Sequence, residues 1–284
     1  MSPIEYLQQH PALQGLEPYL VAAPHNVTRF ELCPFGLEIP SHNLIDPTRV
    51  DSVSFCSALQ TLDRLTFGPE GMPMDKWVFY DICYMPGGVF GFGLRASEAP
   101  AELSALFGDV EDDALLPLTM YGAIPMAVKG AWMGHNLCSL GSRVTGRDLR
   151  GLGTIAKAVG LKCFQSRQFY GATQWESIAL KVHVKFGPLK LYTAYTPAHS
   201  EAHTLTYGFD CTDQALLTAM GHPEYDFERP QADFWIHSAD EEAMIQLQDQ
   251  IEGGGQFVIP FSPARQEHGQ NIPISIRKEP PSIG

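Results

Sequence analysis

The chain alternates between segments with helical and with strand-like spacing of apolar residues. Between residues 54 and 67, apolar positions recur every three or four residues, which predicts a helix with one buried face. Residues 77–84 are rich in aromatic and β-branched side chains, and a second apolar run, 89–94, follows them after Pro86-Gly87-Gly88. This pattern predicts a strand, a tight turn and another strand. Residues 131–140 are predicted to form a further strand.

A glycine-containing turn precedes a second helical pattern. The segment VTGRDLRGLGTIAKAVGLKCF begins at Val144, and its apolar residues fall on one side of a helix: Leu149, Leu152, Ile155, Ala156, Val159 and Cys163. Gly151 and Gly153 stand where this helix begins. Unpaired backbone N–H groups and the positive end of the helix dipole favour an anion there, and the missing Cβ atoms let it approach closely. The turn predicts a phosphate or pyrophosphate site, or else a helix that needs glycine only for its own start.

Positive charge lies beside the same turn. Arg147 and Arg150 supply it in a chain that is otherwise strongly anionic. The residues expected to bind the anion are Val144, Arg147, Arg150, Gly151, Leu152, Gly153 and Thr154. The spacing Gly151-x-Gly153-x-x-Ala156 also matches the dinucleotide fingerprint of Rossmann folds. That fingerprint requires a buried strand to run directly into the first glycine, whereas charged residues occupy this place here.

The remaining patterns predict shorter elements. Prolines break every candidate helix in the first fifty residues, which suggests an arm or a few short elements. Downstream we expect, in order, an amphipathic helix (173–186), a strand (189–195), a loop or short helix (199–209), a helix (239–251) and an irregular tail over the last fifteen residues.

Composition narrows the function. The chain has 284 residues, of which 44% are hydrophobic, and its net charge is -13. A folded globule with such a charge disfavours a broad nucleic-acid or membrane-surface role. The sequence has no apolar run of about 20 residues and no secretion-signal layout at its start, so we expect a cytoplasmic location. Six dispersed cysteines without a C-x-x-C pair are interpreted mainly as small buried hydrophobes.

The segment HNLCSLGSRVTGRDLRGLGTIAKA resembles the pyrophosphate-binding part of the GNAT superfamily (GCN5-related N-acetyltransferases), in which a strand, a basic glycine loop and a helix follow one another. The resemblance extends upstream to the helix and hairpin of 54–94 and downstream to the strand ending in LKLYTAY. It therefore covers residues 54–210. Two features depart from the family pattern. Asp148 stands three residues before Gly151, where the family usually has Arg or Gln, and residues 173–186 insert a second helix before LKLYTAY.

The resemblance implies an α+β fold with a mixed, mainly antiparallel sheet flanked by helices. It also implies three segments: an N-terminal arm or extension (1–53), an acyltransferase-like core (54–210) and a C-terminal extension (211–284). Acetyl-CoA or another acyl-CoA would be the co-substrate, and a small-molecule amine would attack its thioester.

Such a reaction needs a base for the ammonium proton and an acid for the leaving thiolate. By its position after the expected strand, Tyr207 is the candidate acid, with Tyr195 as the second choice. His135 is the candidate base because an imidazole titrates near neutral pH. Asp81 is the carboxylate alternative, since burial on the predicted hairpin strand would raise its pKa. Each of these side chains is also consistent with a purely structural role.

Two other functions are compatible with the sequence. His199 and His203 stand four residues apart with Glu201 between them, and on a helix both imidazoles would share a face able to hold a divalent metal. A metal-dependent hydrolase is therefore one alternative. The second is a non-catalytic domain that binds a phosphate-bearing ligand at the glycine turn.

Overall fold

The structure is a computed structural model that describes residues 1–140, 148–266 and 269–277. The chain divides into two compact units, Met1–Arg167 and Gln168–Gly284. The division after Arg167 lies inside the segment 54–210, which the sequence analysis treats as one core. Among the described residues, none of the helices has the length and apolar character required to cross a bilayer.

The first unit contains a five-stranded sheet in the order β2-β1-β3-β4-β5. Its strands are β1 (Glu17–Val21), β2 (Leu44–Ile45), β3 (Gly88–Arg95), β4 (Leu115–Pro125) and β5 (Ala131–Ser139). Its helices are α1 (Pro3–Gln9), α2 (Pro24–Val27), α3 (Val53–Phe67), α4 (Lys76–Tyr84), α5 (Ala101–Phe107) and α6 (Leu152–Cys163). β1 and β2 pair in parallel, and the other neighbouring strands pair antiparallel.

Two helices cover opposite faces of this sheet. α6 lies on one face, where the backbone of Gly160 comes close to the rings of Tyr121 and Phe90. α3 lies on the other face, where its Phe55 ring meets Tyr19 edge-on at 4.9 Å between centroids. Gly91 makes room for that packing, because a Cβ at this position would lie 2.4 Å from Tyr19 Oη. Gly91 is therefore required by the packing of β3 against Tyr19.

α6 is buried almost all around. Lys157 is fully buried despite its charge, and its Nζ lies 5.7 Å from the centroid of the Tyr121 ring. The ring's negative face stabilises an ammonium group at such a distance. The helix is thus held firmly against the sheet along its length.

The strands of the second unit pair antiparallel in the order β6-β8-β7-β10-β12-β11, with β9 also paired to β12. Its strands are β6 (Gln168–Gln174), β7 (Leu189–Thr193), β8 (Thr204–Asp210), β9 (Phe234–His237), β10 (Phe257–Ile259), β11 (Ala264–Gln266) and β12 (Gly269–Ile276). Its helices are α7 (Ala179–His183), α8 (Asp213–Met220) and α9 (Glu241–Glu252). The α+β class with a mixed, mainly antiparallel sheet flanked by helices is confirmed.

Four sequence predictions of local structure are wrong. Residues 77–84 form helix α4 instead of a strand, and the expected helix 173–186 consists of the end of β6, the short α7 and a 3-10 turn. The expected loop or short helix at 199–209 contains most of β8. The tail includes strand β12 where irregular structure was predicted. For β6, β8 and β12, strand pairing with distant residues overrides the local pattern.

Candidate functional site

The glycine turn opens α6 as the sequence predicted. Gly151 is the N-cap residue, with φ +83° in the left-handed region that favours glycine, and no side chain of the described residues caps the helix. Gly151 is exposed, and an added Cβ would meet nothing within 4 Å. The backbone carbonyl of Leu149 accepts from Leu152 N at 3.1 Å. Within the described residues, the next two N–H groups, those of Gly153 and Thr154, can donate hydrogen bonds to an anion.

The other expected binding residues divide into three groups. Leu152 and Thr154 have buried side chains, so they offer backbone N–H groups only. Gly153 packs on β5, because a Cβ there would lie 3.3 Å from Ser139 Cβ. Val144 and Arg147 lie outside the described residues. The first turn of α6 therefore packs against the end of β5.

Arg150, the remaining member of the set, is held by a neighbouring carboxylate. Its Nη2 donates to Asp148 Oδ2 at 2.7 Å, and its Nε donates to Oδ1 at 2.9 Å. The guanidinium lowers the pKa of Asp148 to about 2, so this carboxylate is ionised at neutral pH. Both side chains are exposed, where an ion pair contributes little stability. A phosphate group can compete for Arg150 without a large cost.

His135 occupies an irregular position on β5. Asn136 pairs with Gly122 and Gly134 pairs with Ala123, so His135 is the extra residue of a β-bulge. Bulges redirect side chains and are frequent next to active sites. The His135 side chain is exposed, but neighbouring protein atoms partly desolvate the ring and lower its pKa, against an opposing effect of the Asp63 carboxylate. The imidazole is therefore neutral at pH 7, as a base must be.

A buried carboxylate lies beside this bulge, and the sequence analysis did not identify it. Asp63 of α3 is 2% exposed. It accepts from Asn136 Nδ2 at 2.6 Å and from the Met74 backbone N at 2.6 Å. The Cys138 thiol also points to it, and burial raises the pKa of that thiol. The sequence feature that could have indicated this carboxylate is the position of Asp63 next to Leu62, on the apolar side of the α3 pattern.

The other catalytic candidates have environments that differ from the expected ones. Asp81 is exposed on helix α4, so the expected burial on a hairpin strand is wrong. Tyr207 is fully buried in the second unit, where its hydroxyl makes a short hydrogen bond with His183 Nδ1, and burial raises its pKa. Tyr195 Oη donates to Glu241 Oε1 at 2.6 Å. The side chain of His135, in contrast to that of Tyr207, is exposed.

The histidine pair of the metal alternative is not arranged as a ligand set. His199 Nδ1 accepts from the backbone N of Glu201 at 3.0 Å, and His203 Nε2 lies 3.5 Å from Glu241 Oε2. Both histidines lie outside the helices. In the described part of the chain, three or more His, Cys, Asp or Glu side chains nowhere gather as a metal site requires. The hydrolase alternative gains no support from this geometry.

Comparison with solved structures gives distant likenesses in fold. No family model and no curated protein matches the chain. Among solved structures, the chain is similar to a Desulfovibrio desulfuricans protein assigned to the GNAT family of acetyltransferases, with 10% sequence identity and a TM-score of 0.37. The match covers 57% of this chain and 95% of the other. A likeness of this size carries no argument about function.

Proposed function

We propose that the protein is an acyl-CoA-dependent N-acyltransferase that binds the pyrophosphate of its co-substrate at the start of α6. The observation that carries this proposal is the glycine-opened helix end, which has exposed Gly151 at its N-cap and no capping side chain among the described residues. Backbone N–H groups at such an end form a ready anion site. Acetyl-CoA or another acyl-CoA supplies the diphosphate for it.

The amides of Gly153 and Thr154 donate to the pyrophosphate oxygens in this proposal. Arg150 leaves Asp148 and adds a charge-assisted hydrogen bond to a phosphate. His135 and Ser139 both lie on β5, four residues apart, and Ser139 packs against Gly153. The pantetheine arm can therefore extend along β5 from the phosphate site towards the bulge.

His135 serves as the general base. Its neutral imidazole takes the proton of the acceptor ammonium group, and the free amine then attacks the thioester carbonyl carbon. The tetrahedral intermediate collapses, the C–S bond breaks, and the acyl group remains on the amine nitrogen. The nitrogen loses its second proton as it becomes an amide, and water relays this proton to the CoA thiolate. Tyr207 is not used as the acid, because its hydroxyl is buried and hydrogen-bonded to His183.

Calorimetric titration with acetyl-CoA tests the binding step. Arg150→Ala is expected to weaken binding several-fold, since one charge-assisted hydrogen bond is lost. Arg49→Ala is the matched control, because Arg49 also pairs with an exposed aspartate two residues away, at 2.6 Å. Equal affinity in both variants, or no binding by the unmodified protein, contradicts the proposal.

A second candidate is a non-catalytic domain that binds a phosphate-bearing ligand at the same turn. The exposure of Asp81 and the burial of Tyr207 favour it, because two of the three predicted catalytic residues lack the expected surroundings. The two functions separate in one assay. The assay incubates the protein with acetyl-CoA and a panel of primary amines and measures the release of free thiol. A transferase releases thiol, and a binding domain does not.

A further inference from the structure

The second unit contains a cavity of about 690 Å³ on one side of its sheet. Small-molecule sites in proteins commonly fall in this range of volume. Its principal lining residues are Lys190, Tyr192, Gly208, Asp210, Val258 and Arg277. All of them belong to the second unit, whereas the glycine turn belongs to the first.

Gly208 allows Tyr192 to lie across the strand that forms the floor of the cavity. A Cβ at Gly208 would come within 2.9 Å of Tyr192 Cε2 and within 2.5 Å of the Phe169 carbonyl oxygen. The Tyr192 ring stacks on Tyr170 at 5.1 Å between centroids. Glycine therefore creates a concave surface with an aromatic wall, where most other residues would produce a flat strand.

The charges of the cavity are unusual for so anionic a chain. Lys190 Nζ lies 5.2 Å from the centroid of the Tyr192 ring, and Arg277 lines the same space. Across 1–140, 148–266 and 269–277, no carboxylate forms an ion pair with either cation. Asp210 is the acidic residue of the lining. Two cations and one carboxylate leave a net positive charge of one.

We propose that this cavity binds a small organic monoanion whose charged group lies between Lys190 and Arg277. Its apolar body packs on Val258 and on the prolines at the rim, Pro188 and Pro230. Burial, together with a hydrogen bond to Tyr170, raises the pKa of the Tyr192 hydroxyl, so it stays protonated near neutral pH. The charge balance fits one carboxylate or one sulfonate. It does not fit CoA, which carries several phosphate charges, so this site is independent of the proposed acyl-CoA site.

Fluorescence titration of the full chain with 8-anilinonaphthalene-1-sulfonate tests the proposal, because this probe joins one anionic group to an apolar aromatic body. Lys190→Gln and Arg277→Gln should each raise the dissociation constant roughly tenfold, as expected for the loss of a charged hydrogen-bonding partner. Lys185→Gln is the matched control, since Lys185 is exposed and does not line the cavity. Thermal melts verify that each variant folds.

The uncharged probe N-phenyl-1-naphthylamine separates charge recognition from a structural effect. Its affinity should be the same in the unmodified protein, Lys190→Gln and Arg277→Gln. The proposal is overturned if the unmodified protein does not bind the anionic probe, if both cavity variants bind it as Lys185→Gln does, or if the uncharged probe loses affinity equally. Acetyl-CoA titrations of Lys190→Gln should match the unmodified protein, so the two sites fail or succeed separately.

Discussion

Arg150 donates to both carboxylate oxygens of Asp148, two residues before it, at the turn that opens α6. The pair places an internal anion beside the amides expected to bind the pyrophosphate. Because Arg150 lowers the pKa of Asp148 to about 2, the carboxylate competes with a phosphate throughout the physiological pH range. In the proposed function, Asp148 therefore opposes binding of the phosphate at this turn.

Replacing Asp148 with Asn should strengthen acetyl-CoA binding. The substitution frees Arg150 and removes a negative charge near the phosphates. Because an exposed ion pair is only weakly coupled, a small gain of roughly two- to fivefold is expected by calorimetry. The gain should shrink at high salt, which screens exposed charges. Asp51→Asn, at the matched Arg49 pair, should leave the affinity unchanged.

Replacing Gly153 with Val should destabilise the fold itself. A Cβ added at this position would lie 3.3 Å from Ser139 Cβ. The two methyl carbons of valine would have to displace β5. Overpacking of this kind costs about 1–3 kcal/mol of unfolding free energy in urea titrations. Combining it with Ser139→Gly should recover part of that loss. Additive effects of the two substitutions would show that this contact does not limit the packing of α6.

The rate of acyl transfer should follow the ionisation of His135. Desolvation lowers the pKa of this imidazole, so the active neutral form should predominate above an inflection that lies below about 6.5. The rate should rise with pH through that inflection and then level off. His135→Gln should remove the inflection and most of the rate, whereas His42→Gln, at an exposed histidine, should keep both. An unchanged profile in His135→Gln would assign the base to another group.

Replacing Tyr207 with Phe should reduce stability and leave turnover intact. The hydroxyl is buried and hydrogen-bonded to His183, so its loss should cost about 1–2 kcal/mol of unfolding free energy. Tyr195→Phe removes an exposed hydroxyl that pairs with Glu241 and should cost much less. A loss of turnover in Tyr207→Phe at unchanged stability would restore the sequence prediction of an acid.

Glu17 should make the first unit sensitive to acid. Hydrogen bonds from Arg95 lower the pKa of this carboxyl from 4.5 to about 2, against the effect of partial burial. Its contribution to stability is therefore complete above pH 4.5 and is lost as the pH falls towards 2. Arg95→Gln should reduce stability at pH 7 by about 1 kcal/mol, allowing for solvent screening, and should flatten the acid limb of urea midpoints. An acid limb as steep as before would contradict this.

The spacing of apolar residues predicted the helices in which these residues recur every three or four positions. α3, α6 and α9 were expected on this basis and are found. Residues 77–84 were predicted to form a strand because they are rich in aromatic and β-branched side chains. Their burial follows a helical pattern instead: Trp77, Tyr80 and Tyr84 are exposed, while Phe79, Ile82 and Cys83 are buried. The helical spacing of the buried residues was a better guide to this segment than its amino-acid composition.

The candidate site was predictable where its chemistry is local. A glycine at an N-cap with positive φ follows from neighbouring residues, and the structure agrees for Gly151. The contact of Asp63 with Asn136 joins positions 73 residues apart, so no spacing rule indicates it. The bulge at His135 likewise depends on the register of β4 and β5. Tertiary pairing supplies this information, and one sequence does not.

A crystal structure of the full chain with acetyl-CoA tests the central claim most directly. The account predicts pyrophosphate oxygens within hydrogen-bonding distance of the backbone nitrogens of Gly153 and Thr154, with Arg150 turned from Asp148 towards a phosphate. A pyrophosphate bound elsewhere on the chain, or an empty helix end at saturating acetyl-CoA, would contradict it.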